Sequence, residues 1–187
     1  MRLFIAANFG TETRDKIAGI QSVLKRDLQG LDIKWTQIEN LHLTLKFLGE
    51  VDEGKKETVS QKIRQSTAGV KIIEIDFDKL GVFPKPSLPR VLWLGARKGA
   101  EQLEVLAQKI ENSLAEIGFE KEERPFSAHL TLGRFRSPGK SGKKISDALE
   151  KTLPKKILDV INVVYLMKSN LTPKGPVYEV AEEFRLK

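Results

Sequence analysis

The chain has 187 residues, 40% hydrophobic and 30% charged, which suits one domain with a sizeable core and argues against a disordered chain. It has no cysteine, so a disulfide framework and thiolate metal sites are excluded. A formal charge of +7 and a pI near 9.5 admit a polyanionic partner, nucleic acid or a phosphorylated small molecule, and equally a Lys-rich solvated surface.

The apolar run that opens the chain breaks at Asn8, too early for a secretory core. No stretch approaches the roughly 18 apolar residues of a bilayer span. The expectation is a cytoplasmic protein with no membrane association. Residues 2–9 predict a buried strand, and Thr11 is placed to cap a helix that buries Ile17, Ile20, Leu24 and Leu28 and stops at Gly30. A brief extended piece at 33–36 and a turn through Glu39 and Asn40 lead to a strand from Leu41 to Leu48. Asp52 and Glu53 open a polar helix with Val59 and Ile63 inward, ending at Gly69. Residues 71–80 alternate with strict period two, as a half-buried antiparallel strand does. Residues 81–89, with Pro84, Pro86 and Pro89, read as a linker.

The pattern then restarts. A strand at 90–96 precedes a helix carrying Leu103, Leu106, Ile110, Leu114 and Ile117, stopped by Gly118, and a strand follows at 126–135. A loop of Ser137, Pro138 and Gly139 leads to a short helix with Ile145, Ala148 and Leu149. One apolar strand, Ile157 to Met167, matches 71–80. The tail has a Pro-Lys-Gly-Pro turn at 173–176 and a last strand within 176–185, expected to tie the halves together. The strand starts at 3 and 91 differ by 88, suggesting repeats at about 1–85 and 89–168 in a single 1–187 domain. The predicted fold is α+β: a duplicated, two-lobed arrangement of antiparallel sheets flanked by helices around a central cleft.

His42-Leu43-Thr44-Leu45 returns letter for letter as His129-Leu130-Thr131-Leu132, 87 residues later, and these are the chain's two histidines. Chance would follow a given histidine with Leu-Thr-Leu on the order of once in two thousand cases. On a strand His42 and Thr44 share one face, with Leu43 and Leu45 on the other, and the second copy repeats this. Two imidazoles facing each other suit a displacement that removes one proton and delivers another, as water attack on a phosphodiester requires. The threonine hydroxyls can donate to non-bridging oxygens. Neither motif has the neighbouring carboxylate or i+4 histidine of common zinc patterns, so no metal is expected. Phosphate-binding glycine loops and nucleophile elbows are also missing from the sequence.

Lesser candidates surround this pair. Lys46 is in phase with His42 and Thr44 and would add charge to the cleft, unless it is a solvated strand lysine. Arg134 falls on the opposite face of a regular strand and reaches a phosphate only if Gly133 bends the chain. Phe9, Trp35, Phe83 and Tyr178 are candidates to stack on a base, against an ordinary core role. Lys140, Lys143 and Lys144 are candidates for an RNA backbone, against a solvated loop.

With these motifs the sequence resembles the 2H phosphoesterases, named for two His-x-Thr-x motifs, and in particular their RNA 2′,3′-cyclic phosphodiesterase (2′-5′ RNA ligase) branch. The likeness spans nearly the whole chain: Arg2 to Ala6, Trp35, Asn40 to Gly49, Gly81 to Pro84, Pro89 to Gly95, His129 to Arg134 and Ser169 to Tyr178. Ala128 departs from the proline that often precedes the second motif. The resemblance implies a cofactor-free, metal-independent enzyme that opens a ribose 2′,3′-cyclic phosphate to a 2′-phosphate and can join or split 2′-5′ linkages. His42 would be the proton donor and His129 the proton acceptor, with Thr44 and Thr131 holding the phosphate. The implied partner is RNA with a cyclic phosphate end, tRNA halves among such ends, met by a monomer. Two other readings stay open at this point: an RNA-binding module without turnover, and a phosphodiesterase acting on a small nucleotide.

Overall fold

The computed structural model describes residues 1–137, 141–152, 156–173 and 175–187. Pro138, Gly139 and Lys140 of the predicted loop, and Lys174 of the Pro-Lys-Gly-Pro turn, lie outside the described residues.

Among the described residues, alternating and apolar runs become nine strands: β1 (Arg2–Asn8), β2 (Ile33–Trp35), β3 (His42–Glu50), β4 (Ile73–Lys85), β5 (Leu88–Ala96), β6 (His129–Phe135), β7 (Ile157–Ile161), β8 (Val163–Thr172) and β9 (Gly175–Arg185). The helically spaced runs become α1 (Thr11–Asp27), α2 (Lys56–Thr67), α3 (Ala100–Ala115) and α4 (Gly142–Lys151). All strand pairings are antiparallel, in the order β7-β4-β5-β6-β3-β1-β8-β9, with β2 added to β6. The architecture is α+β, as the sequence predicts.

At the middle of this order β3 meets β6, with Leu43 opposite Leu130. Each is the other's counterpart in the repeated tetrapeptide, so a local twofold passes between them. Outward from it β6-β5-β4 mirrors β3-β1-β8. Each half takes elements from both ends of the chain: β4 pairs with β5, while β8 pairs with β1. The helices cross over as well. α1 packs on β7 and α4, whereas α3 packs on β3 and α2. Neither half is therefore a contiguous stretch of sequence.

Several local expectations change. Thr11 is the first helical residue of α1, and Gly10 holds the cap position without a side-chain bond. The proline-rich 81–89 segment is a hairpin, not a linker: β4 runs on to Lys85 and turns through Pro86 and Ser87 into β5. Its prolines are tolerated because Pro84 sits at a register shift opposite Pro89, at the hairpin end where ladder donors are not needed. The run from Ile157 to Met167 is two strands broken at Asn162, which pair with different partners, β4 and β1. β9 is an edge strand on β8, and beyond it the last two residues reach across: Leu186 N–H bonds to the Asn162 carbonyl, and Lys187 pairs with Val70 and Ile72.

The leucines of both motifs anchor the centre. Leu43, Leu130 and Leu132 are fully buried and Leu45 nearly so, in one core with Ile17, Leu24, Leu103 and Ile110 from α1 and α3. Burying each is worth roughly 1.5–3 kcal/mol. The helices thus take the leucine face of the motif strands, and His42, Thr44, His129 and Thr131 are left on the other face.

Candidate active site

With Leu43 opposite Leu130, one step along each strand puts each histidine across from the other motif's threonine. All four side chains line a single cleft of about 280 Å³. The cleft is also walled by Trp35, Asn40, Phe47, Arg134 and Tyr178, among others.

The two imidazoles are held in the same way. His42 Nδ1 lies 2.8 Å from the Asn40 carbonyl oxygen, and His129 Nδ1 lies 2.7 Å from the Ser127 carbonyl oxygen. A carbonyl oxygen only accepts, so Nδ1–H donates in both rings and Nε2 is the nitrogen that gains and loses a proton. Burial pushes both imidazoles below their usual range, the backbone bond pulls them partway back up, and the Arg134 guanidinium lowers them further. Arg134 thus acts on both rings.

Aromatic packing fixes each ring differently. His42 sits beside Phe4 (centroids 4.9 Å apart) and edge-on to Tyr178 (5.1 Å). His129 is edge-on to Phe83 (5.2 Å), which stacks on Trp93 (5.0 Å). Trp93 lies over bare backbone: a Cβ on Gly81 would sit 2.1 Å from its ring, and one on Gly95 2.7 Å. Glycine at both positions is what lets the indole lie flat there.

Two bulges decide which residues join the motifs in the cleft. Thr44 pairs with Ala6 but Lys46 with Ile5, so Leu45 is an extra residue in β3. Thr131 pairs with Trp93 but Gly133 with Leu92, so Leu132 is extra in β6. An extra residue reverses the alternation beyond it. Phe47 and Arg134, each five after a histidine, therefore turn into the cleft. They occupy the same place in the two repeats. Arg134 reaches the cleft as the sequence allowed, by a bulge next to Gly133, whose own Cβ would come within 2.8 Å of Ile33.

The same reversal removes Lys46. Its side chain is 2% exposed on the helix side, where Nζ bonds to Glu111 Oε1 at 3.1 Å and to the Glu120 carbonyl at 2.9 Å. Lys46 is a buried structural cation and adds no charge to the cleft. Phe9 is also misplaced by the sequence reading. Leu3, Ile5, Ala7 and Phe9 all face the core, and Phe9 packs edge-on to Phe77 at 5.2 Å. The opposite parity carries Phe4 and Ala6 to the cleft side. Trp35 lines the cleft with Lys25 Nζ 5.6 Å from its ring centroid, and Tyr178 lines it from β9. Phe83 supports His129 from behind and is not among the cleft-lining residues.

Lys143 pairs with Asp147, and Lys144 bonds to the Gln29 carbonyl, in a groove that shares no residue with the cleft. Lys140 is outside the described residues. Among the described residues no group of three His, Asp or Glu side chains is placed to hold a metal. The sequence reading missed Phe47, which lines the cleft, and Phe4 and Trp93, which pack against the two imidazoles. Parity of β1 counted from the apolar face would have found Phe4, whereas Phe47 depends on a bulge that period-two reasoning does not contain.

Known proteins resemble this arrangement closely. The model of LigT-like phosphoesterases matches the chain twice, over residues 10–93 and 94–178. The RNA 2′,3′-cyclic phosphodiesterase of Methanocaldococcus jannaschii is 37% identical, covering 98% of this chain and 100% of that protein. The protein of the same name from Methanothermobacter thermautotrophicus is 35% identical, covering 100% and 99%. Among solved structures, Escherichia coli LigT complexed with 3′-AMP superposes with a TM-score of 0.79 at 25% identity, covering 99% of this chain and 97% of that one. A Thermus thermophilus protein gives 0.80 at 26% identity, covering 100% and 98%. With a doubled family match and full-length relatives above 30% identity, this chain belongs to the LigT-like phosphoesterase family.

Proposed function

We propose that the chain opens the 2′,3′-cyclic phosphate at an RNA end to a 2′-phosphate, without a metal, by acid/base catalysis shared between His42 and His129. The observation that carries this reading is the paired tether. Both Nδ1–H groups are committed to backbone carbonyls, so two proton-exchanging Nε2 atoms serve one cleft. The names of the full-length archaeal relatives support the cyclic phosphate as substrate, and E. coli LigT, a protein of this fold, has been crystallised with the nucleoside monophosphate 3′-AMP.

His129 Nε2 takes a proton from water as its oxygen attacks phosphorus. The bond from phosphorus to the 3′ oxygen breaks, and His42 Nε2 delivers a proton to that oxygen. Thr44 and Thr131 donate to the non-bridging oxygens, and Arg134 offsets the charge that builds there. Low imidazole basicity suits a base near neutral pH, and an arriving phosphate anion favours protonation of the partner ring. With a 5′-hydroxyl in place of water the same steps make a 2′-5′ linkage.

The test is product analysis on an RNA ending in a 2′,3′-cyclic phosphate, in EDTA. The expected product is the 2′-monophosphate, and His42→Ala and His129→Ala each lose on the order of 10²–10⁴-fold in rate. A 3′-monophosphate product would overturn the assigned bond cleavage. Full activity in either variant would overturn the two-histidine mechanism. Tight RNA binding with no turnover would leave only a binding module.

A further inference from the structure

Along the short β2–β6 ladder, Ile33 faces Phe135, Lys34 faces Arg134 and Trp35 faces Gly133. Two like charges directly opposite each other on a ladder repel and destabilise the pairing. Nearby the chain avoids this: Arg136, whose N–H bonds to the Asp32 carbonyl, has the Asp32 carboxylate 3.7 Å away. Lys25, also close by, lies over the Trp35 ring. Neither Lys34 nor Arg134 forms an ion pair among the described residues.

Both cations line the cleft, and no carboxylate is among its described lining residues. Arg134 lines the cleft together with both imidazoles and both threonines, where the proposed mechanism has it face the reacting phosphate. Lys34 lies one strand over from Arg134, on the edge of β6 opposite β5, about 4.8 Å away by the ladder spacing. Its Nζ is 4.0 Å from the place a Cβ on Gly175 would take, on the rim where Gly175 and Pro176 also line the cleft. A repelling pair is stabilised when each member faces its own anion, and a polynucleotide end brings two in a row.

We propose that Lys34 forms a second anion subsite at the cleft rim, which takes the phosphodiester preceding the terminal nucleotide. This rests on the proposed activity and makes its substrate an oligonucleotide end rather than a mononucleotide. Arg134 holds the reacting phosphate and Lys34 the next one inward along the chain. The mutual repulsion of the two cations is then relieved more fully by a ligand that carries both phosphates than by one that carries a single phosphate.

The test compares a 2′,3′-cyclic mononucleotide with a dinucleotide ending in the same cyclic phosphate, using the whole protein and its Lys34→Gln and Lys34→Arg variants. The wild type is expected to prefer the dinucleotide in kcat/KM. Lys34→Gln lowers that preference on the order of tenfold, mostly through KM, and Lys34→Arg restores it. A dinucleotide with a neutral methylphosphonate linkage shows the same loss with the wild type and no further loss with Lys34→Gln. Equal effects on both substrates, or an unchanged preference, overturn the proposal. Should the wild type turn over neither substrate, the proposed activity fails on its own. The same ratio is then read from the affinities of the 2′-phosphorylated dinucleotide and mononucleotide, where an unchanged ratio again overturns the subsite.

Discussion

Gln21 offers a direct way to perturb the cleft without touching it. This glutamine is 1% exposed in α1, and its side-chain amide donates to two carbonyls, Thr36 at 2.8 Å and Leu132 at 2.9 Å. Leu132 is the extra residue of the β6 bulge, and its carbonyl also accepts the Thr36 N–H at 3.0 Å. The amide therefore clamps the bulge that turns Arg134 inward to the chain that carries Lys34 and Trp35. Gln21→Met keeps the volume and removes both donors. Two lost hydrogen bonds at about 1 kcal/mol each, plus partial desolvation without compensation, amount to about 2–3 kcal/mol of stability. For a domain of this size that lowers Tm by about 4–12 °C. If the bulge loosens, kcat/KM on a cyclic phosphate falls on the order of tenfold or more, because a displacement of about 1 Å in a positioning group is that costly. The assay pairs urea denaturation with steady-state kinetics at a temperature where the variant is fully folded. Lost stability with unchanged kinetics would refute the claim that Gln21 positions the cleft and leave it a core residue.

Other outcomes follow from the electrostatics. With two histidines in the chain, ring NMR resolves each titration, and both are expected below the ordinary value of 6.5. Arg134→Met removes a cation that disfavours both imidazolium forms, so both midpoints rise together and the bell of kcat/KM against pH moves to higher pH as its height falls. A shift of one ring alone would contradict a shared guanidinium. Burial alone would raise the Glu111 carboxyl, but the Glu122 N–H and the Lys46 ammonium hold it below the usual range. Lys46→Met strands that carboxylate, and a cost of about 3 kcal/mol is expected in denaturant titration, at the low end for a broken buried pair because the Glu122 bond at 2.7 Å remains. Adding Glu111→Gln recovers part of it, and no recovery would show that the ammonium acts through the Glu120 carbonyl instead.

Much of this molecule is legible in its sequence. Period two places histidine and threonine on one face and leucine on the other, because a strand has no third direction. The 87-residue recurrence makes two such strands equivalent, and the residue types they carry suit the proposed paired proton transfer. Elements marked by long amphipathic runs, such as α1 and α3, emerge near their predicted places for the same local reason.

Tertiary structure alone decided what surrounds the motifs. Bulges at Leu45 and Leu132 reverse the alternation, exchanging Lys46 for Phe47 and bringing in Arg134. An extra residue is stable only because partners from distant sequence hold it: Gln21 holds the β6 bulge, and Glu111 takes up the side chain that the β3 bulge turns inward. The crossing of β4 and β8 to the opposite repeats likewise depends on pairing energies across the whole sheet, which no window of sequence contains. The sequence by itself determined the paired histidines and threonines and the face they share. The fold determined which charges and aromatic rings stand around them, because bulges and strand exchange are set by long-range contacts rather than by local pattern.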